Sequence, residues 1–527
     1  MITGKNYIGN KPSAEGDKTF TTFNPKLNTV NNWTFYEASR HETDEAAKLA
    51  WQAFEVFQNI SGKKKAEFLR KIADEIEALG DGLIAVYSQE TGLPEGRAKG
   101  ERGRTCFQLR TFADLVEEGS WVNATIDTAL PERTPIPRPD IRKLSVPIGP
   151  IAVFGASNFP LAYSTAGGDT TSALASGCPV VVKSHPMHAG TGELVASAII
   201  KAAELTGMPN GVFSNLNSSG IAIGEWLVKH PKIQGVGFTG SIGGGRALFD
   251  MASQREEPIP VFAEMGSINP VLLLPQALQS KGRFWAKTYA GSITLGTGQF
   301  CTNPGLILGV KGEGLDNFIK TLAEEIVAID PSCMLHPKII SRYGDLKNAM
   351  LNEESVLVAA DFTAEVGINH AQQAVVRVDG ESFVKNPKLH QEVFGPFSMV
   401  VECESEEQME TIIKGLEGQL TGTIIADESE LSKHQNLINA LKSRVGRLIF
   451  NGVPTGVEVC PSMQHGGPYP ASTDSRFGAV GIHSIQRWVR PISFQSWPNE
   501  LLPDALKNEN PLGIQRLVNN IATAEPI

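Results

Sequence analysis

The chain has 527 residues, too many for one hydrophobic core, so two or three structural units are expected. Apolar residues make up 41% and charged residues 20%, the balance of a well-packed α/β protein rather than a disordered or fibrous one. With 47 basic and 57 acidic residues the net charge is −10, and no long Lys or Arg run is present. That argues against nucleic-acid and membrane partners and favours a small-molecule enzyme.

The start of the chain, from Met1 to Asn6, lacks the apolar core of a signal peptide. No stretch approaches the roughly 18 apolar residues of a spanning helix. Cysteines stand singly at 106, 178, 301, 333, 403 and 460, with no Cys-x-x-Cys pair, so neither a disulfide framework nor a zinc site is indicated. A reducing cytoplasm is the expected location, and it would keep Cys301 a free thiol.

The first hundred-odd residues read as helical, with Leu69, Ile72, Ala73 and Ile76 at helix spacing and a second amphipathic stretch over 46–57. The proline-rich interval 131–147 excludes helix and favours edge segments or a linker. Short apolar strands alternating with helices follow at 151–154, 180–182, 212–215, 233–238 and 271–274. A second series comes after Cys301, at 306–310, 356–359, 399–401, 423–425 and 448–450. The alternation predicts two α/β units with parallel sheets, and chemistry in the cleft between them. The late extended run 485–497, rich in Trp, Val, Ile and Phe, is expected to pair with another subunit.

Several strand ends carry polar residues. Strand 151–154 runs into Ala156-Ser157-Asn158-Phe159-Pro160, which is either an ordinary turn or a rigid seat from which the Asn158 amide donates to an oxyanion. Strand 180–182 ends in Lys183-Ser184-His185-Pro186; such a lysine is either a solvated strand tip or a ligand of ribose hydroxyls and phosphate. Phe238-Thr239-Gly240-Ser241 with Gly243, Gly244 and Gly245 opens a helix whose amides could approach a pyrophosphate, although it is neither Gly-x-Gly-x-x-Gly nor a P-loop. Glu264, in Ala263-Glu264-Met265-Gly266, offers a water-activating base. Gly298-Gln299-Phe300-Cys301 offers a thiol nucleophile beside backbone amides. His185 and His188 lack the further ligands a metal would need, and no metal is expected.

In this order the segments resemble the NAD(P)-dependent aldehyde dehydrogenase superfamily, from about residue 20 to about residue 500. The set is completed by Glu392-Val393-Phe394-Gly395-Pro396. The resemblance implies an α/β fold: a Rossmann-type cofactor domain (1–126 and 147–273), an α/β catalytic domain (274–470), oligomerisation strands (127–146 and 485–500) and a C-terminal tail (501–527). It makes Cys301 the nucleophile, Glu264 the deacylation base and Asn158 an oxyanion donor. Lys183 and Glu392 match ribose-binding positions, Phe394 packs near the nicotinamide ribose, and Gly240 and Ser241 match the pyrophosphate loop, with Gly245 in the next turn. A homodimer or homotetramer is implied.

The departures are informative. Glu-Leu-Gly-Gly is here Glu264-Met265-Gly266-Ser267, followed by Ile268-Asn269-Pro270, and Gly296 replaces the usual Asn of the nucleophile segment. Pro186 stands where many NAD-specific members carry a Glu on the adenosine ribose, which removes a carboxylate that repels a 2′-phosphate. NADP is therefore slightly preferred over NAD, with Lys183, Ser184 and His185 as candidate phosphate contacts. Lys183 to Pro186, Ala263 to Pro270, Gln464 to Pro470 and Asn510 to Arg516 resemble the 2-oxoglutarate semialdehyde (2,5-dioxopentanoate) dehydrogenases of the superfamily. That substrate carries a carboxylate, which calls for an arginine in the passage, and Arg104 is the candidate, with a solvated helix position as its alternative. Phe159, Phe300 and His465 are expected to line the same passage. Two rivals remain: a fatty aldehyde dehydrogenase with an apolar tunnel, and a retired dehydrogenase kept for binding.

Overall fold

The computed structural model describes residues 2–527. Residues 6–36 carry strands and no helix: Asn6–Ile8 pairs with Lys11–Ser13, and Thr19–Asn24 with Thr29–Tyr36. The reason is local. Thr-Phe-Thr-Thr-Phe and Val-Asn-Asn-Trp-Thr-Phe are β-branched and aromatic with period-two burial, a pattern the helical reading passed over. Helices begin at Arg40–Phe57, where Ser39 and Glu42 form a reciprocal capping box, and continue with Gly62–Ala78, Gly80–Thr91 and Glu95–Glu118. The predicted stripe Leu69, Ile72, Ala73 and Ile76 is fully buried against the neighbouring helices.

The first sheet has seven strands in the order Val261–Glu264, Gly235–Thr239, Ile151–Phe154, Val180–Lys183, Phe213–Leu216, Asn6–Ile8 and Lys11–Ser13. The first five strands of that order are parallel, so their carboxyl ends share one edge. That edge carries Glu264, Thr239, the loop to Asn158, and Lys183. The crevice outside the carboxyl ends is where open α/β sheets bind ligands.

The second sheet runs Leu357–Asp361, Ala374–Asp379, Phe397–Cys403, Leu306–Val310, Val271–Leu273, Gln419–Ile425 and Val445–Phe450, parallel except for the first pair. The strand at 271–273 belongs here and not to the first unit, where the sequence placed it. Asn269, at φ 49°, and Pro270 turn the chain out of one sheet and into the other. Ala374–Asp379, which the sequence reading missed, is a central strand whose apolar run is too short to show a period.

The third sheet is Val489–Gln495, Ile141–Pro147, Thr125–Asp127, Arg516–Val518 and Ile521–Thr523. Three expectations change here. The run predicted as wholly extended begins as a 3₁₀ segment, Ile482–Trp488, because Trp488 is fully buried and its indole N–H donates to Ser172 Oγ at 2.8 Å. Its strand pairs within the chain, with Ile141–Pro147. The residues read as a tail, 501–527, supply two strands of this sheet and Leu502, Leu506 and Ile514 to its core. Among the described residues no helix is long and apolar enough to cross a membrane.

Candidate active site

The helix Pro275–Thr294 ends in three consecutive left-handed residues, Gly296 (φ 54°), Thr297 (φ 60°) and Gly298 (φ 64°). A Cβ on Gly298 would lie 2.2 Å from the Gly395 carbonyl group, so glycine is required there on two counts. Thr297 has no such freedom, and its conformation costs on the order of 1 kcal/mol. Its hydroxyl is held by donating to the Cys333 carbonyl at 3.3 Å. Gln299 locks the same loop, donating to Gly296 O at 3.1 Å and accepting from Leu335 N at 3.0 Å. Asn269 anchors the far side. Its buried amide donates to the carbonyls of Cys301 and Asn303, both at 2.9 Å, and its oxygen accepts from the hydroxyls of Ser267 and Thr421. The nucleophile segment is thus fixed from both flanks, and Asn269 had no predicted role.

The structure brings Cys301, Glu264 and His465 together. The cysteine Sγ lies 3.5 Å from His465 Nε2, and that nitrogen lies 2.9 Å from Glu264 Oε1. Sequence reasoning put His465 in the substrate passage; here its buried ring sits against the thiol and carboxylate instead. The signal available was only the Gln464-His465-Gly466-Gly467 turn, which does not report a partner in space. Burial, then the charge of Glu264, hold the Cys301 thiol well above its ordinary pKa. The resting sulfur is therefore a thiol. Neither oxygen of the Glu264 carboxylate has a well-aligned hydrogen-bond donor, although both are buried. Asn158, on the loop after Ile151–Phe154, donates to Gln299 O at 3.0 Å, which sets its amide beside the nucleophile segment. His188 steadies that loop, with Nε2 at 2.8 Å from Ala156 O.

Cys301 lies where two cavities meet. One, of about 370 Å³, is bounded by Asn158, Gly240, Ser241, Glu264, Cys301, Glu392 and Phe394, all of them predicted site residues. Ser241 caps the helix Ile242–Ser253, accepting from Gly244 N at 3.2 Å, so the helix start and its free amides open on this cleft. Gly245 lets that helix close on the sheet, since a Cβ there would meet Met265 Sδ at 2.5 Å. Burial pushes the Glu392 carboxyl up to about 7. Lys338 and Arg342 add two cations that the sequence reading did not include.

The segment 183–186 is arranged differently from expectation. Lys183 donates to Ser218 O at 2.9 Å, and burial lowers it to about 8, with Glu37 acting in the opposite sense. Ser184 is buried and its hydroxyl faces the helix Ala189–Thr206, within reach of Gly192. The His185 ring stacks on His188 at 5.0 Å, and burial holds its pKa well below the usual imidazole value. The fully covered Ser184 hydroxyl is not placed to reach a phosphate, whereas His185 is half-buried, with Nδ1 accepting from Met187 N at 3.3 Å. Ser184 points inward because the strand end is covered by its own following helix. Pro186 starts the 3₁₀ turn Pro186–His188.

The second cavity, of about 350 Å³, opens on the other side of Cys301 and is lined by Arg97, Arg104, Phe159, Tyr163, Phe300 and the Gly456-Val457 turn. Arg97 and Arg104 project from one face of the helix Glu95–Glu118, at i and i+7. Gly96 and Gly100 lie in the same wall and leave the space open. Arg104 donates to the Val457 carbonyl and, at 3.4 Å, to Tyr163 OH. The Arg97 guanidinium lies 4.4 Å from the Phe159 ring and 4.8 Å from the Phe300 ring. Glu101, 3.6 Å from Arg97, is fully engaged by Leu161 N, Ala162 N and Tyr87 OH. Arg97 went unnoticed in the sequence, although its seven-residue spacing from Arg104 was visible.

Residues 12–340 match the aldehyde dehydrogenase family. The chain is 46% identical over 521 residues to an alpha-ketoglutaric semialdehyde dehydrogenase of Acinetobacter baylyi, covering 99% of each. It is 45% identical to alpha-ketoglutaric semialdehyde dehydrogenase 2 of Azospirillum brasilense, covering 98% of this chain and 99% of that one. Among solved structures, betaine aldehyde dehydrogenase of Staphylococcus aureus, in complex with NAD+, superposes with a TM-score of 0.81 at 18% identity, over 94% of this chain and 98% of that one. A 1-pyrroline-5-carboxylate dehydrogenase superposes with a TM-score of 0.78 at 19% identity, over 93% and 92%. A thiol set between two cavities, a carboxylate beside it and a near full-length sequence match lead to one assignment: the chain belongs to the aldehyde dehydrogenase family and is an oxidoreductase acting on aldehydes.

Proposed function

We propose that the protein oxidises 2-oxoglutarate semialdehyde (2,5-dioxopentanoate) to 2-oxoglutarate. The observation that carries this reading is the pair of guanidiniums, Arg97 and Arg104, in the vestibule in front of Cys301. A substrate with a carboxylate at one end and an aldehyde at the other fits a cavity that is cationic at its wall and ends in a thiol. The semialdehyde specificity in the names of the two full-length relatives agrees. An apolar alkanal would gain nothing from two half-buried cations, which disfavours the fatty aldehyde reading.

The cleft on the opposite face fits a dinucleotide: capped helix start, Lys183, and a Glu392 carboxylate closely packed on Gly266. NAD(P)+ bound there supplies the hydride acceptor. Cys301 Sγ attacks the aldehyde carbon while its proton passes to His465 or Glu264, the two acceptors that surround it. The alkoxide that forms accepts hydrogen bonds from the Asn158 amide and the Cys301 backbone N–H. Once the carbon is oxidised, a thioester remains on Cys301. Glu264 takes a proton from water, the hydroxide opens the thioester, and the acid leaves with the thiol restored.

Both nucleotides are accepted in this reading. Pro186 removes one carboxylate from the adenosine end, but Glu37 stands close enough to Lys183 to raise its pKa, and it would oppose a 2′-phosphate. The outer strand Val489–Gln495 leaves one sheet edge unpaired within the chain, and a homodimer or homotetramer built through it completes the assembly.

Initial rates with 2-oxoglutarate semialdehyde, succinic semialdehyde and a long alkanal, each with NAD+ and NADP+, test the assignment. The expected result is the highest kcat/KM for 2-oxoglutarate semialdehyde and loss of all turnover in Cys301→Ala. A preference for the alkanal, or no burst of reduced nucleotide with any aldehyde, overturns it.

A further inference from the structure

The three groups at the catalytic centre have the composition and spacing of an incomplete metal site. Thiol, imidazole and carboxylate each offer one ligand atom, and the three atoms lie within 4.8 Å of one another. A tetrahedral zinc bound at about 2.3 Å by sulfur and about 2.05 Å by nitrogen sets those two atoms roughly 3.5 Å apart. The observed Sγ to Nε2 separation is 3.5 Å. The Nε2 to Glu264 Oε1 separation, 2.9 Å, needs about half an ångström of opening to meet the same geometry. A second observation points the same way. Both Glu264 oxygens are buried without an aligned donor, in a carboxylate that is 4% exposed. An acceptor left in that state is one that a cation would satisfy.

We propose that Cys301, His465 and Glu264 form a binding site for a thiophilic divalent cation, Zn²⁺ in the first place, which inhibits the enzyme reversibly by occupying nucleophile and base together. The thiol gives up its proton to solvent, the sulfur, Nε2 and one Glu264 oxygen bind the metal, and the fourth position faces the vestibule that the half-buried Cys301 lines. Imidazole and thiolate select zinc or cobalt over magnesium and calcium. The site uses catalytic residues but does not depend on which aldehyde is the substrate. The other cluster of ligand-type side chains among the described residues, Glu15, His41 and Glu45, is exposed and lacks a thiol, and it serves as the control.

The test is a titration of the metal-free, full-length protein with Co²⁺, read by the thiolate-to-cobalt absorption band and the visible bands of four-coordinate cobalt. Zn²⁺ displacement of the cobalt follows, together with inhibition by Zn²⁺ of aldehyde oxidation. One metal per chain with a thiolate band is expected, along with loss of inhibition on adding a chelator. His465→Asn and Cys301→Ser, each verified as folded by circular dichroism, are expected to weaken binding at least about tenfold, and His41→Ala to leave it unchanged. Absence of the thiolate band at stoichiometric cobalt overturns the proposal. So does an affinity unchanged in His465→Asn, or one lost in His41→Ala. A band that disappears in Cys301→Ser while the semialdehyde proves not to be the preferred substrate would support the metal site and refute only the substrate assignment.

Discussion

Replacing Arg97 by leucine separates substrate recognition from catalysis. A charge-assisted hydrogen bond between a guanidinium and a carboxylate contributes about 1.5–3 kcal/mol. Arg97 is about one-fifth exposed, so part of that is screened, and about 1–2 kcal/mol is expected. Arg97→Leu should therefore lower kcat/KM for 2-oxoglutarate semialdehyde by roughly 5- to 30-fold, mostly through KM. Pentanal, of the same chain length without the carboxylate, should change by less than about threefold, since leucine keeps the apolar contact with Phe159 and Phe300. The decisive quantity is the ratio of the two specificity constants, and Arg97→Lys should retain part of it. Arg104 is already engaged by Val457 O and Tyr163 OH, so Arg104→Leu also loosens the Gly456-Val457 turn and should lower both substrates together, with a smaller change in their ratio. An equal fall for both aldehydes in Arg97→Leu, or no fall, refutes the role of Arg97 in meeting the carboxylate.

Cofactor affinity should depend on pH through Glu392. Its carboxyl is held at about 7 by burial, so below that value it is protonated and accepts poorly from a ribose hydroxyl; affinity for NAD(P)+, measured by fluorescence titration, should rise several-fold from pH 6 to pH 7.5, and Glu392→Gln should abolish the rise. The same group acts with opposite sign on the apoprotein: its folded value exceeds the ordinary 4.5, so its contribution to stability declines as pH rises from about 4.5 through about 7. Asn269→Ala strips partners from two carbonyls and two hydroxyls in a buried pocket, and a loss of about 3–5 kcal/mol in urea unfolding is expected, with kcat falling as the nucleophile segment loosens. Gly298→Ala places a methyl group against Gly395 at a positive φ; a soluble variant should lose at least about 100-fold in kcat, while wild-type kcat would show that this approach does not set the position of Cys301.

What the sequence disclosed follows from how each feature is encoded. Helix stripes and apolar parallel strands are written in consecutive residues, so the helix containing Leu69 to Ile76 and the strands at 151–154 and 306–310 could be read directly. The strand Val271–Leu273 was visible as a strand but went to the wrong sheet, because pairing with Leu306–Val310 and Gln419–Ile425 is a property of distant segments. The site divides the same way. Cys301, Glu264 and Asn158 each announce themselves by a short local run, and the structure gathers all three around one cavity, with Cys301 at its junction with the other. The relation of His465 to them spans 164 residues to Cys301 and could not be read from spacing. The inward turn of Ser184 depends on the helix that covers it, which a strand-end reading leaves out.

The electrostatics of Cys301 explain why the site needs both cavities. Burial and the neighbouring carboxylates Glu264 and Glu392 all oppose the thiolate, so the isolated protein keeps its nucleophile protonated and slow to oxidise. Attack becomes favourable only when proton removal and carbon–sulfur bond formation are coupled. Negative charge then moves from sulfur to the substrate oxygen, where the Asn158 amide and a backbone N–H can receive it. His465 matters in this balance because its imidazole touches a sulfur whose other charged neighbours are the carboxylates of Glu264 and Glu392. Replacing it by phenylalanine should slow the single-turnover burst more than it changes KM, whereas a ring that only filled space would leave the burst rate at the wild-type value.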